Sequence, residues 1–308
     1  VQDKITQLLE HIQSGDFRSL ARGITIVENE LPGSEHLLLG LRKNQAAKIC
    51  GITGPPGAGK STLVNALIAE WLKQEKKIAI LAVDPSSPFN YGALLGDRIR
   101  MSEYYTNPNI FIRSLASRGS LGGLSGRTIE ITDLVKESFF DIILIETVGV
   151  GQSEVEIAGL ADCTVVTMVP EAGDEVQTLK SGIMEIADIF VVNKADRANA
   201  DALYNNLRIM CHEKANGTNE VPVYKTVATD HTGVAAVADA ILQQLAVKQT
   251  HTAMQMHLLF EKSRQLIIQQ LLKPIDMTRM KDALMKAMRT EDFNLYAFVQ
   301  DFLNNNTF

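Results

Sequence analysis

Residues Gly54 to Ser61 read GPPGAGKS, a GxxxxGKS string that follows the apolar run AKICGIT and opens the helical pattern STLVNALIAEWL. Residues of these types at this spacing do phosphate chemistry. Gly57 and Gly59 let the backbone curl so that successive N–H groups point at one centre, and the positive end of the following helix reinforces them. Pro55 and Pro56 carry no N–H and stiffen the entry, leaving Gly57, Ala58, Gly59, Lys60, Ser61 and Thr62 as donors. The Lys60 ammonium is expected to reach the β- and γ-phosphates of a nucleoside triphosphate, and the Ser61 hydroxyl to ligate Mg²⁺.

A second string, VVNKAD, places Asn193, Lys194 and Asp196 at the end of a later apolar run. A carboxylate only accepts hydrogen bonds, so Asp196 suits the N1–H and exocyclic amino group of guanine and repels adenine, whose N1 is itself an acceptor. GTP is therefore favoured over ATP. TVAT at 226–229 stands where a further backbone contact to guanine would fall, with Ala228 the expected donor; an ordinary strand end is the alternative.

Three acids are candidates for the metal and the attacking water. DIILIETVGVGQSE ends a buried run in Glu146, where many GTPases have Asp, and Gly149 after it can offer its N–H to the γ-phosphate. AILAVDPSSP ends in Asp84, and LLGDRIRM supplies Asp97. Asp84 before Pro-Ser-Ser also fits a turn former, and Asp97 a helix cap. Any of the three can orient water while Lys60 and Mg²⁺ neutralise the transferred phosphoryl group.

Positioning these residues requires a particular scaffold. AKICGIT, KIAILAV, FFDIILIE, CTVVTMV, DIFVVN and VPVYKTVA alternate with amphipathic segments, which implies parallel strands covered by helices on both faces: an α/β, P-loop NTPase fold with a mainly parallel sheet. Residues 1–45 read as an N-terminal helical extension, with Asp16 as N-cap of FRSLARGITIVEN, 46–248 as the nucleotide-binding domain, and 249–308 as a wholly helical region. In that last region HLLFEKSRQLIIQQLL forms one helix stopped by Pro274, Met277, Met280, Leu284 and Met288 line a second, and FNLYAFVQDFL forms a third.

Composition narrows the function classes. A formal net charge of -6 and no clustered Lys/Arg argue against a general nucleic-acid binder, and no apolar run is long enough to span a membrane. Cys50, Cys163 and Cys211 lack CxxC spacing and sit in apolar segments, as reduced core thiols do in a cytosol-like compartment. The histidines form no HxxxH or His-rich tract. The expected location is the cytoplasm, or the mitochondrial matrix if Val1 marks a trimmed eukaryotic chain.

GPPGAGKST, DPSSP, LLGDRIRM, RGSLGGLS, IETVGVGQSE, EAGDEVQTLKSG and NKAD, in this order, resemble the MeaB/ArgK family of P-loop GTPases over roughly residues 5 to 275. The resemblance implies a GTPase chaperone of an adenosylcobalamin-dependent acyl-CoA mutase, with adenosylcobalamin reached only through that partner, and a homodimer held by a C-terminal helical arm. It implies that Ser61, Asp84, Asp97 and Glu146 surround Mg²⁺ and water, and that 84–97 and 146–155 switch with the nucleotide. It also implies a third switch at 169–182, with Gln177 and Lys180 facing the mutase. Polar residues suit such a segment because they exchange partners readily. Arg118 in RGSLGGLS fits phosphate neutralisation, a mutase contact or a plain surface arginine. Rival functions are a GTPase that inserts nickel, which usually shows His-rich or paired Cys ligands, an ATP-dependent kinase of a transport protein, and a helical adaptor with a vestigial site. NKAD speaks against the kinase.

Overall fold

Strand β1 (Lys48–Thr53) lies at the centre of a seven-stranded sheet because its side chains are apolar to both sides. Ile49 faces one layer of helices and Cys50 and Ile52 face the other. The computed structural model describes residues 2–42, 47–84, 101–116, 127–147, 153–171, 183–215, 220–247, 253–272, 275–289 and 293–305. The other strands are β2 (Ile78–Asp84), β3 (Ile110–Ala116), β4 (Ile142–Glu146), β5 (Cys163–Met168), β6 (Ile189–Val192) and β7 (Val223–Lys225). They pair throughout in parallel, in the order β3-β2-β4-β1-β5-β6-β7. The chain leaves β1 toward one edge, returns through β4, and crosses β1 to reach β5. Open α/β sheets bind ligands outside the carboxyl ends of the strands where the order reverses in this way.

Helices cover each face. On one side lie α1 (Gln2–Gln13), α2 (Phe17–Glu28), α3 (Ser34–Leu39), α5 (Thr128–Val135) and α6 (Ser153–Leu160), whose apolar residues meet Ile49, Leu81, Phe111, Ile143 and Ile145. Asp16 caps α2 as the sequence predicts, accepting from Arg18 N and Ser19 N at 3.3 and 2.9 Å. On the other side α4 (Lys60–Lys73) and α9 (Val234–Ala246) pack on Cys50, Ile80, Leu144 and Val165. Trp71 of α4 is fully buried there and its indole N–H points to Ala238 O at 3.4 Å. Between them in sequence run α7 (Ile183–Ile186) and α8 (Ala200–Ala215); α8 covers Phe190 and Val192 through Leu203 and Leu207.

The sheet exceeds the sequence expectation by one strand. IFIRSLA forms β3, whose pattern is interrupted by Arg113 and Ser114; Arg113 reaches back to α2, where Glu28 takes its guanidinium at 2.8 Å. The N-terminal helices are fastened at a second point. Glu137, fully buried, accepts from Arg42 N (2.7 Å), Arg42 Nε (2.8 Å) and Gln13 Nε2 (2.7 Å). All three cysteines are buried and free, and the neighbouring Cys50 pushes the Cys163 thiol well above the ordinary range.

The chain divides into two units, Val1–Gln255 and Met256–Phe308. The second contains most of α10 (Ala253–Leu272), then α11 (Met277–Ala287) and α12 (Leu295–Asn305). Asp276 caps α11 through Thr278 N and Arg279 N, and Asn294 caps α12 through Tyr296 N and Ala297 N. Its helices expose Phe260, Ile267, Leu271, Met288 and Tyr296. Pro274 lies outside the described residues. No described helix is long and apolar enough to cross a membrane.

Candidate functional site: a nucleotide cradle at the carboxyl end of the sheet

The turn after β1 is shaped by two close approaches. A Cβ on Gly54 would lie 2.0 Å from Thr167 O on β5, and one on Gly59 would lie 2.5 Å from Asn193 Nδ2. Gly59 adopts φ +81° and leads into α4 at Lys60, so the turn and the helix start are one piece. At Gly57, φ +77°, an added Cβ would meet nothing within 4 Å: the loop curls around open space.

The carbonyls of this loop are tied from behind. Lys60 Nζ donates to Gly54 O at 2.8 Å and Pro55 O at 3.1 Å. Lys194 Nζ donates to Gly57 O at 2.8 Å, and Asn193 Nδ2 to Ala58 O at 3.0 Å. With the carbonyls held inward, the N–H groups at the start of α4, which have no carbonyl a turn before them, are left for an anion. Lys60 and Ser61 are both buried, Ala58 is buried and Thr62 half-buried.

Asn193 is the hub that joins the cradle to the segment after β7. Its Oδ1 accepts from Thr226 Oγ1 at 3.1 Å and from Ala228 N at 3.2 Å, while its own N–H donates to Met168 O. The side chain is therefore a positioning group, 2% exposed. Ala228 N–H, expected from sequence to meet guanine directly, is directed at Asn193. Asp196 is exposed on the turn after Lys194, whose φ of 55° swings the chain out of the sheet. Thr226 is the partner that sequence reasoning missed as an anchor; a hydroxyl one strand beyond NKAD, opposite the Asn in register, was its only signal.

Beside the cradle, Ser61 Oγ donates to Glu146 Oε1 at 2.7 Å, with both residues buried. The next residue, Thr147, donates to Thr53 Oγ1 at 2.9 Å, which pins the end of β4 to the end of β1. A hydroxyl and a carboxylate converging in this way form a hard-oxygen pair, the donor type Mg²⁺ selects. Asp84 ends β2, one strand beyond Glu146. Its side chain, Asp97, Gly149, Gln177, Lys180 and Arg118 lie outside the described residues.

Residues 20–287 match the family described as methylmalonyl Co-A mutase-associated GTPase MeaB. A Pyrococcus abyssi protein assigned by name to the GTPases is 47% identical over 242 residues, 77% of this chain and 75% of its own. The Escherichia coli GTPase ArgK is 37% identical over 214 residues, 68% of this chain and 63% of its own. A Caenorhabditis briggsae protein named methylmalonic aciduria type A homolog, mitochondrial, is 37% identical over 209 residues, 62% of this chain and 50% of its own. A solved structure described as LAO/AO transport system kinase superposes over 97% of this chain and 96% of its own with a TM-score of 0.68; at 23% identity it speaks for the fold alone. The cradle, the NKAD turn after β6 and the match over most of the sequence lead to one assignment: this chain belongs to the MeaB family of P-loop GTPases.

Proposed function

We propose that the protein is a Mg²⁺-dependent GTPase that gates cofactor loading and protects or reactivates an adenosylcobalamin-dependent acyl-CoA mutase of the methylmalonyl-CoA mutase type. The observation that carries the nucleotide half is the Asn193 hub, which makes the phosphate cradle and the Asp196 turn one hydrogen-bonded unit. The mutase half rests on the family description and on the name of the nematode relative.

In this reading the N–H groups of Gly57 and of Gly59 to Thr62 take the phosphate oxygens, while the Ala58 N–H, expected from sequence to join them, is turned to Pro55 O at 3.2 Å. Lys60, buried and held by Gly54 O and Pro55 O, would turn its charge to that developing on the γ-phosphoryl group. Ser61 and Glu146, with Asp84 and Asp97, would hold Mg²⁺. When bound, the ion would supply charge neutralisation on the phosphates. Among these acids one also orients the attacking water, and the Gly149 N–H serves the γ-phosphate. Asp196 accepts from guanine N1–H and its amino group. With no arginine finger assignable from the sequence, intrinsic turnover is slow and the partner accelerates it through Gln177 and Lys180.

Residues 46–248 constitute the GTPase domain in this reading and 249–308 a dimerisation region. The apolar side chains exposed on α10, Phe260 (65%) and Leu271 (67%) among them, support a second copy as their cover. The deciding experiment is steady-state GTP hydrolysis with and without an adenosylcobalamin-dependent mutase from the same source. A rise with one mutase is expected. Unchanged turnover with every such mutase, alongside intact GTP binding, would leave the GTPase and remove the chaperone.

A further inference from the structure

Asp196 and Arg197 are adjacent in sequence, exposed, and opposite in charge, a combination that invites them to pair with each other. They do not. The Arg197 guanidinium instead forms an ion pair with Glu171, which lies just past β5 and 26 residues earlier in the chain. Among the described residues no hydrogen bond reaches the Asp196 carboxylate, and it stands open to solvent.

The local backbone makes this arrangement specific. Lys194 and Asn199, both at positive φ (55° and 66°), bracket the turn, and Arg197 N donates to Lys194 O at 3.0 Å, so the turn is narrow and leaves Asp196 and Arg197 exposed. Ala195 N is bonded to Thr226 O at 3.0 Å, which anchors one side. Arg197 is long and flexible enough to fold back onto its neighbour. The hydrogen bond from Arg197 holds the Glu171 carboxyl below its usual range, and Glu171 in turn raises the guanidinium, with Asp196 contributing to that rise by its charge.

We infer that Glu171 is a specificity-determining positioning residue: it captures Arg197 and so keeps that guanidinium from occupying the carboxylate with which Asp196 reads guanine. The inference rests on the assignment of Asp196 as the guanine reader. An intramolecular guanidinium is a direct competitor for the same acceptor oxygens that a base N–H and amino group would use. Glu171 removes the competitor without touching the nucleotide.

The test is the affinity of the full chain for GDP and, separately, for inorganic triphosphate, which uses the phosphate cradle alone. Glu171→Ala is expected to weaken GDP by about threefold, the scale of an exposed ion pair, with triphosphate unchanged. Arg197→Ala binds GDP at least as well as the parent, and the double variant regains parental affinity. In an Asp196→Ala background, Glu171→Ala has no further effect. A tether that merely braces the turn gives the opposite pattern: Arg197→Ala as harmful as Glu171→Ala and no rescue in the double variant. That result, or unaltered GDP binding in Glu171→Ala, overturns the inference. If Asp196→Ala alone leaves GDP affinity intact, the guanine reading itself fails and the inference with it.

Discussion

Asn193 and Glu137 are both buried side chains that gather partners from distant stretches, yet they serve opposite ends of the sheet. Asn193, at the carboxyl end of β6, joins Ala58, Thr226 and Ala228 with a neutral amide that both donates and accepts. Glu137, ahead of β4, gathers Arg42 and Gln13 with a carboxylate that only accepts. The amide cross-links loops that must receive a ligand, and brings no net charge near phosphate. The carboxylate clasps the N-terminal helices to the domain, where a fixed charge pair does no harm. Similar hydrogen-bond geometry thus positions a site in one place and attaches a layer in the other.

If that division is right, substitutions at the two ends separate nucleotide handling from stability. The largest expected effect is Lys60→Ala, which lowers GTP turnover by about a thousandfold; parental turnover in this variant would remove the cradle from the chemistry. Glu137→Ala comes next. It is expected to cost about 3 kcal/mol in urea unfolding because the Arg42 N–H and Gln13 Nε2 lose a charged, buried acceptor, with GDP affinity unchanged. Asn193→Ala strands donors and acceptors on two segments, the loop at Ala58 and the stretch from Thr226 to Ala228, and costs about 2 kcal/mol, but here GDP affinity also falls. Equal behaviour of these two variants toward GDP would erase the distinction between clasp and hub.

Two smaller effects refine it. Asp196→Asn should weaken GTP and improve xanthosine triphosphate by about tenfold each, since an amide donor suits the C2 oxo group of xanthine; unchanged preference in a competition titration would count against the base assignment. Asp16→Ala should cost about 1 kcal/mol through the lost α2 cap. Its native carboxyl is lowered below 3.8 by hydrogen bonds from Ser19, so the cap's contribution is complete above that value and disappears as pH falls through the lowered native one. A difference between parent and variant that persisted at much lower pH would show that the carboxylate is not the cap.

The same division explains what the sequence reveals. GPPGAGKS and NKAD are legible because each motif's chemistry is carried by residues within a few positions of one another. Six strands are legible from apolar runs that alternate with amphipathic segments. β3 is not, because Arg113 points out of the strand to Glu28, 85 residues away, and breaks the pattern at the sheet edge. Arg42 and Glu137 are 95 residues apart and Glu171 and Arg197 are 26 apart, so no spacing rule announces either pair. Ala228 shows the limit differently: its place on the chain is readable, but that its N–H turns to Asn193 depends on the register of β6 against β7.

Trp71 has a practical consequence of another kind. It is the chain's single tryptophan, it is completely enclosed, and it sits on the same helix that begins at Lys60. Its emission should be blue-shifted and shielded from iodide while α4 and α9 stay packed, moving to the red only when that layer opens. The molecule therefore carries a native optical probe that tells loss of the nucleotide from loss of the scaffold beneath it.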